Sequence, residues 1–138
     1  MLDQNLFIEE LATFMATAAS VAHASTPRQL WLYKAGETAA TPAYSVMRPY
    51  TGRRDFVSLG EVSIQVETIG EDDEAIALAW KLFKTLVDAQ GRPLRNTALT
   101  SHRINGIRNL QTPGLIGRDS DQRAKLVFNF DATYVALS

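Results

Sequence analysis

The side chains able to do chemistry are few and scattered. The chain has two histidines, His23 and His102, and no cysteine. Thiol catalysis, disulfides and thiolate metal sites are therefore excluded. Each histidine stands alone, without HExxH or any other paired-ligand spacing around it. Glu71-Asp72-Asp73-Glu74 groups four acids, and at the start of a helix such a group serves capping and the helix dipole. Asp119-Ser120-Asp121 has the spacing at which a calcium loop opens, but the glycine and terminal glutamate of an EF-hand are missing. No metal is expected.

Phosphate cradles are also absent. The chain contains neither GxxxxGK[ST] nor GxGxxG. Gly114 and Gly117 are spaced like part of a glycine-rich loop, yet no helix start follows to aim a dipole at a phosphate. A hairpin turn is the expected reading there. No GxSxG is present, and neither histidine has a serine and a carboxylate in a local frame. A triad assembled from distant residues is recognised by geometry and stays open at this point. Arg92, Arg95, Arg103, Arg108, Arg118, Arg123 and Lys125 could line a basic face for nucleic acid. Against that stand an overall pI of about 6.1 and the absence of aromatics among these residues to stack on bases. No catalytic residue and no cofactor are expected.

These residues need a scaffold, and 138 of them suit one domain, residues 1–138. A hydrophobic fraction of 46% and a charged fraction of 21% belong to an ordinary globular chain. The apolar stretch at residues 11–24 ends in Ala22-His23-Ala24, which superficially suits leader cleavage. A secretory leader opens with positive charge, whereas Asp3, Glu9 and Glu10 precede the first basic residue, Arg28. That stretch therefore reads as a helix. No window approaches the roughly 20 apolar residues that span a bilayer.

Asp3 is placed to cap this helix, which is expected to run to about Ala22 and to bury Phe7, Leu11, Phe14, Met15 and Ala18. Ser25-Thr26-Pro27 should stop it. Leu30 to Tyr33 reads as a short strand, followed by a loop over 35–43. Tyr44 to Tyr50 can be extended, with Pro49 confined to an edge or a strand end. Thr51 to Asp55 reads as a turn. Val62 to Thr68 alternates apolar and polar residues and is the clearest strand. A second helix follows, with Asp72 or Asp73 as N-cap and Gly91 as the residue past its end. Ile76, Ala79, Trp80, Phe83 and Val87 form one stripe on it; Leu78, Leu82, Leu86 and Ala89 form another. His102 to Leu110 is a strand, residues 112–121 turn the chain, and Leu126, Phe128, Phe130, Ala132 and Tyr134 face inward on a last strand. The order helix, two or three strands, helix, two strands predicts an α+β fold. Its mixed, mainly antiparallel sheet should carry the N-terminal and central helices on one face.

Charge is unevenly spread. Residues 1–91 hold 7 Lys+Arg against 12 Asp+Glu, a net of −5, while residues 92–125 hold 7 against 2, a net of +5. One acidic and one basic side would suit head-to-tail association of copies.

The stretch Arg103-Ile104-Asn105-Gly106-Ile107-Arg108 leads into Leu110-Gln111 and Pro113-Gly114-Leu115-Ile116-Gly117-Arg118-Asp119, then Arg123 and Phe128-Asn129-Phe130. It resembles the C-terminal hairpin of the tail-terminator proteins of long-tailed bacteriophages, also described as minor capsid or tail-completion proteins. The likeness is strongest over residues 102–134 and architectural before that.

The resemblance implies a non-enzymatic structural virion protein on a mixed sheet flanked by helices. Such proteins form a homohexameric ring that ends growth of the tail tube and joins tail to head. The implied partners are further copies of the chain, the tail tube protein and a head-completion or connector protein. DNA would only pass through the ring lumen, no membrane is involved, and the host cytoplasm is the place of assembly. The family has no catalytic residues to carry over. Arg48, Tyr50, Arg53 and Arg54 are expected on a projecting loop that contacts a partner, with Arg118 and Asp119 at a hairpin tip. Two other readings remain: a small ligand-binding or enzymatic α+β domain, which needs a deep pocket with convergent polar groups, and a nucleic-acid-binding adaptor.

Overall fold

The computed structural model of the chain describes residues 3–24, 27–36, 42–50, 54–55, 59–87 and 90–137. Helix α1 (Gln4–Ala19) starts where the carboxylate of Asp3 accepts a hydrogen bond from the Leu6 N–H at 3.0 Å. That cap satisfies one of the orphan amides of the first turn. The helix stops three residues before the expected Ala22, and proline has no part in it. Ser20 adopts a left-handed conformation (φ 57°, ψ 46°), and the N–H of Val21 folds back on the carbonyl of Ala16 at 2.8 Å. Phe7, Ile8, Leu11, Ala12, Met15, Ala16 and Ala19 are buried. Ala18, expected inside, is exposed.

Among the described residues four strands precede the second helix. They are β1 (Leu30–Leu32), β2 (Ala43–Pro49), the two-residue β3 (Arg54–Asp55) and β4 (Gly60–Gly70). Pro49 closes β2, as its missing N–H requires. The expected turn over 51–55 is corrected at its far end, because Arg54 and Asp55 pair with Glu61 and Gly60; residues 51–53 lie outside the described residues. Helix α2 (Asp72–Lys84) has Glu71 as its N-cap residue, and neither Asp72 nor Asp73 plays that part. It ends at Thr85, whose hydroxyl donates to the Leu82 carbonyl at 2.6 Å. Gly91 (φ 78°) lies beyond in the loop and is not the helix terminator. The expected helical stripes therefore overran the true end, and Ala89 lies outside the described residues.

The second half holds four strands where two were expected: β5 (Arg95–Ala98), β6 (His102–Arg108), β7 (Gly114–Arg118) and β8 (Ala124–Ala136). The whole forms an eight-stranded sheet of order β1-β2-β4-β8-β6-β5, with β3 beside β4 and β7 beside β8. Only β1 and β2 run parallel; the other pairings are antiparallel. The fold is thus α+β with a mixed, mainly antiparallel sheet.

The two longest strands form its axis, β4 against β8 from Gly60↔Tyr134 to Gly70↔Ala124. Strict alternation decides their faces. Val62, Ile64, Val66, Phe128, Phe130, Ala132 and Tyr134 are buried on one side, in a single core with α1 and with Leu78, Leu82 and Leu86. Burying each such large side chain stabilises the fold by about 1.5–3 kcal/mol. Phe7 stacks on Tyr134 with ring centroids 4.0 Å apart and planes within 5°. Gly60 lies directly against that tyrosine, where a Cβ would run into the ring. Ser45 and Thr68, cross-strand partners buried on this face, satisfy each other through a 2.6 Å hydroxyl–hydroxyl bond.

The opposite face carries no helix among the described residues. It is a polar lattice instead. Ser63 donates to Asp131 at 2.6 Å, Asn109 donates to the same carboxylate at 2.7 Å, and Arg108 meets Glu61 at 2.9 Å. No helix among the described residues is long and apolar enough to cross a membrane.

Candidate interaction surfaces

A sheet is exposed to other chains at its edges, where backbone N–H and C=O groups lack neighbours. Besides the two-residue β3, three edge strands are described, and they differ. At β1 the outward N–H of Leu30 donates to the Ala22 carbonyl at 3.0 Å, and the Leu30 carbonyl accepts from Arg28 Nε at 2.7 Å. The Leu32 carbonyl is taken by the N–H of Lys34 at 2.8 Å. The Arg28 guanidinium then lies 4.6 Å over the Trp31 ring. This edge is closed by its own chain. At β5 the left-handed Asn96 (φ 51°) interrupts the extended backbone in mid-strand.

The third edge, β7, is different. It pairs only with β8, and all five of its residues are exposed. Leu115 and Ile116 stand 61% and 60% exposed, the highest values among the large hydrophobics. The register slips at Ile116, so that Leu115 faces Leu126 while Gly117 faces Lys125, and Gly117 takes up the bulge at φ 149°. Beside β7, the outer stripe of α2 is incompletely covered. Leu78 and Leu82 enter the core, but Ile76 is 45% exposed and Trp80 half-buried. A cavity of about 250 Å³ lies between helix and strand, lined by Ile76, Trp80, Pro113, Leu115 and Leu126.

The rim of this cavity is an ion pair. Arg118 donates two hydrogen bonds to Asp72, at 2.8 and 3.1 Å, and a third to the Gln122 carbonyl at 3.0 Å. The Arg118 hydrogen bonds and charge hold the Asp72 carboxyl below its ordinary range, and Asp72 raises the guanidinium in return. One residue on, Asp119 organises the β7–β8 turn. Burial works to raise its carboxyl, but hydrogen bonds from the Arg123 N–H, the Arg123 side chain and the Asp121 N–H outweigh that and hold it low.

The expected contact residues thus fall into separate places. Arg48 is not on a projecting loop. It lies within β2, with Nη2 3.5 Å from Glu67, which Lys125 also approaches at 3.8 Å. Tyr50 follows the strand and is exposed, with its N–H held by the Ser63 carbonyl at 3.1 Å. Arg54 is in β3 by its backbone; its side chain and all of Arg53 lie outside the described residues. Arg118 closes β7 and Asp119 opens its turn, near the tip as expected, but both are engaged within the chain. In sheet order β4 and β8 lie between β7 and β2, although Arg123 of the turn reaches across to lie 5.9 Å over the Tyr44 ring of β2. Sequence reasoning missed Leu115 and Ile116 as exposed strand residues, whereas Ile76 was already on an apolar stripe of the second helix. The signal was present: two large aliphatics between glycines suit an exposed strand better than a solvated turn.

A second concavity lies at the other end of the sheet. It is an open groove of about 680 Å³ between α1 and the β5–β6 turn, lined by Leu6, Glu9, Thr13, Phe14 and Thr17 on the helix and Leu99 on the turn. Its inner wall is anchored by Glu10, which accepts hydrogen bonds from the Ser101 and His102 N–H groups at 2.8 and 3.2 Å. Among the described residues no group of three or more His, Asp or Glu is placed to hold a metal ion. The chain matches no protein-family model and no curated protein.

Proposed function

We propose that the chain is a structural virion protein, a tail terminator. Its homohexameric ring would cap the tail tube and join tail to head. Three things support this reading. Residues 102–134 resemble the C-terminal hairpin of that family; the α+β architecture agrees with the family's mixed sheet and helices; and the family's hairpin region includes the open edge β7. The observation that carries most weight is that edge. Natural sheets blunt or cover a bare strand bearing exposed aliphatics, unless another chain is to meet it; here β1 is closed by its own chain, while β7, though bulged at Ile116, leaves Leu115 and Ile116 exposed.

In this proposal the protein acts without a catalytic residue or cofactor. Its partners are its own copies, the tail tube protein and a head-completion or connector protein, with DNA crossing only the lumen. It resides at the head–tail junction of the virion after assembly in the host cytoplasm. Light scattering after gel filtration tests the ring, since six chains of 15.2 kDa weigh about 91 kDa. Electron microscopy with purified tail tubes tests the cap. Ring density at tube ends is the expected result. A protein that stays monomeric and leaves tube ends bare would overturn the proposal.

A further inference from the structure

Two backbone irregularities lie opposite each other where β5 meets β6. On β6 the register shifts between Ile104 and Gly106, which makes Asn105 the extra residue of a bulge. Arg103 and Arg108 are five positions apart, an odd number that would set them on opposite faces of a regular strand. The bulge cancels this. Arg103, Gly106 and Arg108 pair with Val135, Thr133 and Asp131, which alternate with the buried Ala132 and Tyr134 and so lie on the helix-free face. On β5 the left-handed Asn96 (φ 51°) makes the matching correction. Arg95 joins Gly106 on the helix-free face, while Thr97 pairs with the buried Ile104. Two distortions at one level of the sheet thus bring three arginines to one side.

An open groove of about 560 Å³ lies there, lined by Arg95 and Arg108 with Gly106 and Thr133 as its floor. The nearby acids are already engaged, Glu61 by Arg108 and Asp131 by Ser63 and Asn109. Arg95 and Arg103 are exposed, and among the described residues their side chains make no ion pair or hydrogen bond. The free charge of this corner is positive. Val135 and Asp131, opposite its two ends, are four residues apart on β8, roughly 13 Å at about 3.3 Å per residue.

We infer that this corner binds the phosphate backbone of nucleic acid, without regard to base sequence. Guanidinium groups match phosphate oxygens in pairs, and anchors spread along a strand suit a row of anions better than a single one. No aromatic lines the groove to stack a base, so contact is with the backbone, which carries no sequence information. An acidic peptide would need an apolar pocket or a regular edge to extend. The Gly106–Thr133 floor lacks the first, and Asn96 spoils the second. The site goes beyond the ring reading, in which DNA merely passes, and does not depend on it.

Fluorescence anisotropy with a short DNA duplex of arbitrary sequence, read over a range of salt, tests the site. Log affinity should fall linearly with log salt, with a slope of about −2 to −3 for two or three neutralised phosphates. Arg95→Gln combined with Arg103→Gln should weaken binding at least about tenfold and flatten that slope by about 2. Both residues are exposed, so the melting temperature should stay unchanged. Lys81→Gln with Lys84→Gln removes the same charge from the last turn of α2, on the other face, and should leave slope and affinity as they were. Equal losses in the two double variants would reduce the effect to net charge and overturn the site. Gly106→Asp is a second variant: a Cβ there meets only Thr133 Oγ1, at an ordinary 3.7 Å. It should fold and lose the duplex; undiminished binding counts against the site. Absence of binding at low salt overturns the inference, as does polyglutamate displacing the duplex as well as unlabelled DNA does. Displacement by millimolar inorganic phosphate would reveal a single-anion pocket and overturn it too.

Discussion

Glu10 of α1 and His102 of β6 meet in the interior, with imidazole Nδ1 3.5 Å from the carboxylate Oε2. The other ring nitrogen, Nε2, accepts from the N–H of Asp3 at 3.3 Å. With Nε2 so engaged, Nδ1 is the ring atom turned toward the carboxylate. Helix start, helix middle and the first residue of β6 are thereby tied at one point. The same ring lies edge-on to Phe7 and Tyr134.

Removing the carboxylate strands its backbone donors. Glu10→Ala deprives the Ser101 and His102 N–H groups of their acceptor. A cost of about 1–3 kcal/mol is expected, lowering the melting temperature by several degrees. Glu10→Gln keeps an amide oxygen for those N–H groups and should lose less. Thermal unfolding of both variants checks this; equal stability of Glu10→Ala and wild type would sink it.

Gly60 offers a cleaner steric test. Gly60→Ala pushes a methyl group into the buried Tyr134 ring, which stacks on Phe7 and cannot retreat. Overpacking of this kind costs about 1–3 kcal/mol. Gly114, in the open edge β7, has nothing within 4 Å of such a methyl, so Gly114→Ala should stay within about 0.5 kcal/mol of wild type. Urea midpoints compare the two. Matching losses at both positions would mean that Gly60 is not packed as described.

How far the fold could be read beforehand follows from the same interactions. β4 and β8 alternate strictly, because one face is buried and the other wet, and periodicity found them. Asp3 was legible as a cap because its side chain acts locally. The end of α1 was not, since a serine in left-handed backbone carries no common signature. The limit of α2 was missed because Leu86 and Val87 continue the apolar period after the helix has stopped; Leu86 is still buried in the core. β7 was read as a turn because it holds two glycines and follows Pro113, and only its pairing with β8 shows it to be extended. Arg48 was placed on a loop because its true partner, Glu67, comes from the next strand in space. The width of the apolar face on α2 was legible, but which of its residues the sheet leaves bare depends on packing that no local pattern specifies.

The Asp72–Arg118 pair makes acid stability depend on one arginine. Arg118 holds the Asp72 carboxyl below its ordinary value of 3.8. A carboxyl lowered on folding contributes stability that is fully present above its unfolded value and disappears as pH falls through the folded one. The stability gap between wild type and Arg118→Gln should therefore be constant from neutrality to about pH 4 and close below it. Exposure keeps the gap small, so many urea midpoints per pH are needed. A gap that persists in strong acid would show that Arg118 acts through its bond to the Gln122 carbonyl instead.

Ser45 and Thr68 allow the cost of an unpaired buried hydroxyl to be separated from the worth of a bond. Both are fully buried on the helix side, and each is the other's side-chain partner at 2.6 Å. Thr68→Val keeps the shape and removes one hydroxyl, leaving Ser45 in an apolar layer between Ala43 and Met47. The expected loss is about 1–3 kcal/mol, mainly the desolvation of the stranded group. Ser45→Ala alone strands Thr68 and should cost a similar amount. Combining Ser45→Ala with Thr68→Val removes both hydroxyls, so the double variant should be more stable than the sum of the single losses allows. A chemical-denaturation cycle over the four proteins measures this. Additive losses would show that each hydroxyl is satisfied elsewhere and that the pair is not a unit.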